Sequence, residues 1–380
     1  MTMPSTATDI AQALVRIPSV NPAYDPESSG EGTVVDWLEG WGRNHDLEPI
    51  RQPCLENRDN INFTIRNGDG PHLLFNGHTD TVSIAGMAID PFSGEIRDER
   101  LWGRGATDMK GPLAGMLASM LRLRDRNDWH GALTVSCVVD EEYKYRGILS
   151  LLEANDPWDF AIVGEPTNLR VVRGCKGSCR FTIHTVGRAA HSSEPGEGAN
   201  AIVGMACAIP AIAGFFETDL AQFTHEGFGR STGSIGLIDG GSGINIVPER
   251  CTISIDIRTV PEQDWRATLA CLEEYVCAWC GDLDEVQLIF DEPSHFSPSF
   301  ETFADHPLVQ TAGKVLGDPK TEIVPFGCDG SKIAARDIPT IVLGPGDIAQ
   351  AHTKDESISL KDLESGADAY EKLAVALLSE

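Results

Sequence analysis

The sequence predicts an α/β protein whose mixed, largely parallel sheet is interrupted by an inserted α+β block. Three observations carry that prediction. Short apolar segments alternate with helical ones through the first part of the chain. The texture then changes to alternating strands and two long helical runs, and the first style returns before the C-terminus. The expected organisation is one discontinuous domain, residues 1–177 and 291–380, and one inserted domain, residues 178–290.

Taken in order, apolar residues fall at helical spacing over 7–17, where Pro18 ends the run, and a second helix is expected over about 33–44. Strand-length segments come next at 61–65, 72–75, 133–139 and 160–163, separated by helical stretches such as 113–123. Strands alternating with helices imply a parallel sheet covered on both faces. Inside the insert, 180–186 alternates, 199–216 is an Ala-rich helical run, and 234–238 and 251–257 alternate again. A helix over 265–280 and a strand over 286–290 complete two strand-helix-strand passages. The tail supplies a helix near 307–316, the strand 340–343, the turn Gly344-Pro345-Gly346 and a last helix over about 360–378. No period of roughly 20 to 50 residues repeats, which disfavours solenoids and propellers.

Acidic residues outnumber basic ones by 57 to 30, for a net charge of −27, and such a surface repels polyanions and anionic lipid. Neither a nucleic acid nor a membrane is expected as a partner. Hydrophobic residues make up 41% of the chain, enough for a real core rather than an acidic disordered segment. The stretch MTMPSTATDIAQALVRIPSV has neither the basic start nor the apolar run of an export signal. No apolar stretch is expected to reach the roughly 18 residues that span a bilayer. A cytoplasmic protein with reduced thiols is the expectation. Cys277 and Cys280 have the spacing of half a zinc site, but no second pair completes it. The helical pattern of Trp265, Leu269, Leu272, Val276 and Trp279 around them favours ordinary thiols.

In open α/β sheets, ligands bind beyond the carboxyl ends of the strands. The residues just past each expected strand therefore test for a site. After 72–75 comes Gly77-His78-Thr79-Asp80, after 133–139 comes Asp140-Glu141-Glu142, and after 160–163 comes Gly164-Glu165-Pro166-Thr167. Past the glycine turn comes Ala351-His352, and Asp108 in Gly105-Ala106-Thr107-Asp108-Met109-Lys110-Gly111 stands just ahead of a helix. Singly, each has an ordinary explanation: a solvated loop, a helix N-cap, a structural histidine. Together they place two histidines and at least four carboxylates at one sheet edge, a donor set that suits zinc or a similar divalent ion. There are too many ligands for one tetrahedral ion. Four crowded carboxylates, Asp108, Glu141, Glu142 and Glu165, also call for about four compensating charges, as two divalent cations supply.

These motifs resemble the M20 metallopeptidase family, which includes acetylornithine deacetylases, succinyl-diaminopimelate desuccinylases, aminoacylases and carboxypeptidases. The resemblance covers nearly the whole chain, including the opening Leu14-Val15-Arg16-Ile17-Pro18-Ser19-Val20-Asn21. Three segments are most similar to the acetylornithine deacetylase branch. They are Gly164-Glu165-Pro166-Thr167 with Lys176-Gly177, Ala190-His191-Ser192-Ser193-Glu194-Pro195 with Gly198-Ala199-Asn200-Ala201-Ile202, and Leu343-Gly344-Pro345-Gly346 with Gln350-Ala351-His352.

The resemblance implies a catalytic domain of zinc-aminopeptidase type and an inserted domain that serves as lid and homodimer contact. It implies two divalent ions, Zn²⁺ first and Co²⁺ as an alternative, with Asp108 bridging them. His78 and Glu165 would complete one site, Glu142 and His352 the other. Asp80 would hold the second ring nitrogen of His78, and the Asp108–Met109 bond is often cis in the family. Glu141 would be the general base toward the attacking water. His191 would reach across a dimer to stabilise the oxyanion. Asn245 and Arg258 would hold the substrate α-carboxylate, with Lys176 a weaker candidate; the other use of Arg258 is a salt bridge to one of the chain's many acids. The implied reaction is removal of an N-acyl group, acetyl first, from an amino acid such as N2-acetyl-ornithine, a step of arginine biosynthesis. Other family activities on N-acyl amino acids or short peptides, and a metal-free peptide-binding relative, are the alternatives. The segment Phe326-Gly327-Cys328-Asp329-Gly330-Ser331 departs from the acetylornithine deacetylase pattern and leaves side-chain specificity open.

Two rival classes fit less well. Gly103-x-Gly105 is followed by Asp108 where a dinucleotide fingerprint needs Gly or Ala, and no strand is expected to lead into it. A serine hydrolase needs a Gly-x-Ser-x-Gly elbow, which is missing from the sequence.

Overall fold

Strand His72–His78 is buried along its whole length and runs between two parallel neighbours, Gly131–Val138 and Phe160–Val163. The computed structural model describes residues 3–154, 157–281, 283 and 285–379. Beyond Phe160–Val163 lies Thr340–Val342, again parallel, and then Val171–Cys175, antiparallel. On the other side, Arg58–Asn67 and Pro49–Leu55 join antiparallel to Gly131–Val138 and to each other. The sheet is thus mixed with a parallel centre, as expected. The central strands are continuous apolar runs because both faces are covered.

The chain divides into two compact units, residues 1–174 with 301–322 and 328–380, and residues 175–300 with 323–327. In the first, helix Lys110–Arg124 is buried almost all round, between the sheet and the helices Ala7–Val15 and Leu360–Leu377. Helix Ala7–Val15 starts at Thr6, whose hydroxyl accepts the Asp9 N–H. It ends two residues before the expected stop. The buried Lys110 ammonium donates to the Leu14 and Ile17 carbonyls at 3.0 and 2.7 Å, satisfying groups that further helix would otherwise have used.

The second unit is an antiparallel sheet in the order Thr232–Gly240, Arg250–Arg258, Ser178–Val186, Gln287–Phe290. Helices Ala201–Glu217 and Trp265–Cys280 bring Met205, Ile212, Phe215, Leu272 and Val276 into one core with the strand residues Phe181, Ile183, Ile253 and Ile255. One expectation is corrected here. The segment Ala201–Gln222 is long and apolar enough to cross a membrane by length and composition. Its apolar character follows from the core it fills.

A second correction concerns the glycine-rich loop. A strand, Arg100–Trp102, does lead into Gly103. It belongs to a small antiparallel sheet with Glu95–Arg97 and Ser357–Ser359, not to a parallel nucleotide-binding sheet. The strands Pro49–Leu55 and Val171–Cys175 and the helices Arg146–Glu153 and Gly330–Ala334 were not expected. They are short or weakly periodic, and tertiary pairing rather than local pattern decides them.

Candidate metal centre

The three parallel strands His72–His78, Gly131–Val138 and Phe160–Val163, with Thr340–Val342 beside them, deliver their carboxyl ends to one edge. His78 closes the first, Glu141 and Glu142 follow the second, and Glu165 follows the third. His352 arrives beyond the turn after Thr340–Val342. That turn is tight: a Cβ on Gly344 would sit 2.2 Å from the Gly164 carbonyl oxygen. Only glycine permits this approach beside Glu165. Asp108 stands before helix Lys110–Arg124, and the Asp108–Met109 peptide is cis.

The Asp108 carboxylate faces two histidines. His78 Nε2 lies 3.1 Å from its Oδ1, and His352 Nε2 lies 3.1 Å from its Oδ2. Glu165 Oε1 is 3.9 Å from His78 Nε2, and Glu142 Oε1 is 3.1 Å from His352 Nε2. Two triads result, His78, Asp108 and Glu165, and Asp108, Glu142 and His352, each with its ligand atoms within 4.8 Å of one another. Two such groups sharing one carboxylate form a candidate dinuclear metal centre. Glu141, buried between strand end and turn, belongs to neither triad.

The electrostatics fit cations. Burial pushes the Glu165 carboxyl well up, reinforced by the charge of Asp108, and the Glu142 carboxyl up to about 7 for the same two reasons. Glu141 is likewise held well above the usual carboxylate range, by burial first and then by Glu165, Asp329 and Glu142 against the opposing charge of His78. Burial opposes ionisation of Asp108 too, but the bonds from His352 and His78 hold its carboxyl low. Burial would lower His78, yet Asp108 and Asp80 hold it well above an ordinary histidine. Without cations these acids must hold protons or borrow charge from the imidazoles; divalent ions would replace those protons.

Asp80 meets both the second ring nitrogen of His78 and the acidic turn. His78 Nδ1 lies 2.9 Å from the Asp80 backbone carbonyl, and the carboxylate Oδ1 is farther, at 3.4 Å. The carboxylate also accepts the backbone N–H of Glu141 on Oδ1 at 3.1 Å and that of Glu142 on Oδ2 at 3.2 Å. Its geometry therefore reaches the acidic turn as well as the histidine.

Two further groups stand beside the centre, Glu356, which the sequence did not single out, and Asp329, from the segment that departs from the deacetylase pattern. Glu356, fully buried, accepts the N–H of Gly105, Thr107 and Asp108 and the guanidinium of Arg104. Asp329, also buried, takes the Asn76 amide at 2.8 Å, and burial pushes its carboxyl up to about 7. A signal for Glu356 existed only in its place four residues past His352.

The remaining candidates lie in the second unit. His191 is exposed, with Nδ1 2.7 Å from the Ser193 hydroxyl. It pairs with Ile246 across a short bridge, and the Ser192 N–H donates to the Asn245 carbonyl at 3.0 Å, so His191 and Asn245 are neighbours. The Arg258 guanidinium bonds Asp256 at 2.9 Å, its alternative use. Lys176 donates to the Arg230 carbonyl at 2.5 Å. Cys277 and Cys280 are free thiols.

The model of peptidase family M20/M25/M40 matches residues 74–376. The chain belongs to this family. It is therefore a hydrolase, and its M20 relatives include acetylornithine deacetylases from Erwinia tasmaniensis, 33% identical with 92% of each chain covered, and from Salmonella typhimurium, 32% identical with 93% of each covered. Among solved structures, a tripeptidase from Staphylococcus aureus superposes with a TM-score of 0.78 at 22% identity, covering 100% of this chain and 99% of that one. A dinuclear metal-binding peptidase of the M20 family from Bacillus subtilis reaches 0.73 at 16% identity, covering 98% and 97%. These likenesses show the M20 fold.

Proposed function

We propose that this M20 hydrolase is a metal-dependent amidohydrolase that removes the acetyl group from an N-acetyl amino acid, N2-acetyl-ornithine first. One observation carries the chemistry: the Asp108 carboxylate lies between His78 and His352, each with its own glutamate, and Glu141 stands free beside them. The choice of substrate is supported by the relatives named acetylornithine deacetylase.

His78, Asp108 and Glu165 would hold one ion and Asp108, Glu142 and His352 the other, with Zn²⁺ the first candidate and Co²⁺ the second. When bound, such a pair supplies Lewis acidity to the amide carbonyl and makes water a better nucleophile near neutral pH. Glu141 receives the proton of the attacking water as the O–C bond forms, then delivers it to the amine nitrogen as the C–N bond breaks. Asp80 holds the Glu141 and Glu142 backbone in register for these tasks. Arg258, with Asn245, takes the substrate α-carboxylate, which requires the guanidinium to leave Asp256. Lys176 is a further candidate for that anion.

His191 stabilises the oxyanion in a second copy of the chain, so the protein acts as a homodimer. The support is the terminal strand Thr232–Gly240, where Leu237 and Ile238 are 70% and 60% exposed. An edge strand that carries exposed apolar residues invites pairing with a second copy. We place the protein in the cytoplasm, where its ten free thiols would stay reduced.

The deciding experiment is a substrate panel assayed with Zn²⁺ or Co²⁺: N-acetyl-ornithine, N-acetyl-citrulline, N-succinyl-diaminopimelate, other N-acyl amino acids and dipeptides. The highest kcat/KM on N-acetyl-ornithine is expected. A preference for dipeptides or for the succinyl substrate would replace the acetyl reading with another family activity, and Asp329, where the sequence departs from the deacetylase pattern, favours including both. No turnover together with no bound metal would point to the metal-free binding relative.

A further inference from the structure

Asn21, the last residue of the opening motif, has no part in the chemistry proposed above, yet it is fully buried next to it. Its amide nitrogen donates to Asp80 Oδ2 at 2.8 Å and to Asp140 Oδ1 at 3.0 Å. One neutral side chain thus joins two buried carboxylates that would otherwise repel each other. Each carboxylate controls the same turn. Asp80 takes the N–H of Glu141 on one oxygen and that of Glu142 on the other. Asp140 is the turn's first residue and is held at φ 65°, a left-handed conformation that costs energy for a residue other than glycine.

Such a conformation persists only where the surroundings over-determine it. Here they do. Arg58 donates to both oxygens of Glu31, at 2.5 and 2.7 Å, and to Asp140 at 3.2 Å. Arg146 grips both oxygens of Asp140 at 2.5 and 2.9 Å, and the Asp140 N–H donates to Glu31 at 3.1 Å. Asn21 is the group that ties this ionic frame to Asp80, and its own Oδ1 is fixed by the Ala23 N–H at 3.1 Å.

We propose that Asn21 is a positioning residue that sets the Glu141–Glu142 turn by locking Asp80 to Asp140. It acts on Glu142 as a ligand and on Glu141 as a base, and it touches neither substrate nor ion. Glu142 belongs to one triad only, and His78 in the other keeps the Asp80 backbone carbonyl at 2.9 Å, a contact that does not pass through the Asp80 carboxylate, so the effect falls mainly on the triad of Asp108, Glu142 and His352. The inference rests on the metal-dependent reading proposed above.

The test is a calorimetric titration of the full-length, chelator-treated chain with Zn²⁺, followed by steady-state kinetics. His352→Ala marks which binding step belongs to the triad of Asp108, Glu142 and His352. Asn21→Ala is expected to weaken that same step roughly 10- to 100-fold while the other step stays within about twofold. In the zinc-saturated enzyme it lowers kcat more than it changes KM. If the wild-type chain binds no zinc, the metal reading itself fails. Should the wild type bind two ions and Asn21→Ala bind both equally well, or weaken both steps alike, the positioning role of Asn21 is overturned while the metal reading stands. Circular dichroism checks folding. If Asn21→Ala does not fold, Asn21→Thr, which keeps one donor where asparagine has two, carries the same asymmetric expectation and the same refutation.

Discussion

The buried carboxylate of Glu356 accepts the backbone N–H of Asp108 at 3.0 Å, across 248 positions of sequence. The same oxygen takes the Thr107 N–H at 2.9 Å, while its other oxygen takes the Arg104 guanidinium at 2.7 Å and the Gly105 N–H at 3.2 Å. Glu356 therefore anchors the loop that presents Asp108 to both histidines. Replacing it by Gln turns one acceptor into a donor that must face either Arg104 and the Gly105 N–H or the N–H groups of Thr107 and Asp108. The expected cost of Glu356→Gln is about 1–3 kcal/mol of unfolding free energy, read from denaturant titration in chelator. A change within experimental error would mean that the loop is held by other contacts.

Glu141→Gln keeps the shape of the side chain and removes its ability to take a proton. The variant should bind zinc with wild-type stoichiometry and lose on the order of 10²- to 10⁴-fold in kcat. Metal content and single-turnover rate check the two halves separately. Near-normal turnover of the zinc-loaded variant assigns the base elsewhere.

Metal removal should abolish activity and lower thermal stability together, because the crowded acids of the centre lose the cations that offset their charge. Titrating Zn²⁺ back should raise the unfolding midpoint with the logarithm of free metal, worth about 2.7 kcal/mol at a hundredfold excess over Kd. A midpoint indifferent to Zn²⁺ would count against a resident ion.

The dimer proposal is tested at the edge strand and at His191. Leu237→Lys or Ile238→Lys should shift the sedimentation coefficient of the chain to that of a monomer with reduced kcat. Mixing His191→Ala with Glu141→Gln subunits should restore part of the activity through hybrid dimers. Absence of rescue, with subunit exchange verified, argues against a site shared between copies.

Thiol reactivity probes the fold independently. Cys271 is exposed and should react fast with an aromatic disulfide in the native protein, whereas Cys277, exposed but with its thiol pushed up by burial and Glu273, should react more slowly. Cys137, Cys175, Cys179, Cys251 and Cys328 are buried and should react only after unfolding, and burial pushes the Cys137 thiol well up besides. Fast reaction of Cys137 would contradict its place in the central sheet.

The residues His78, Glu142, Glu165 and His352 were legible because each follows an apolar strand, and parallel strands deliver their carboxyl ends to one edge whatever the rest of the chain does. A short apolar run and the residues just past it are local signals. The second unit was legible for the same reason, since the alternation over Arg250–Arg258 and Ser178–Val186 is the pattern of a half-covered antiparallel sheet. The short strands Glu95–Arg97 and Arg100–Trp102 were not, because three residues carry no period.

By itself, then, the sequence determined the fold class, the family and the set of donors at the sheet edge. Tertiary structure alone decided how those donors are held. Asp80 holds the Glu141–Glu142 turn with its carboxylate as well as facing His78, Asn21 spans 59 positions to Asp80 and 119 to Asp140, and Glu356 closes on the Asp108 loop. The physical reason is that a buried polar group must find its partners wherever folding places them. Such bonds depend on distance and direction in space, and neither has a spacing in sequence.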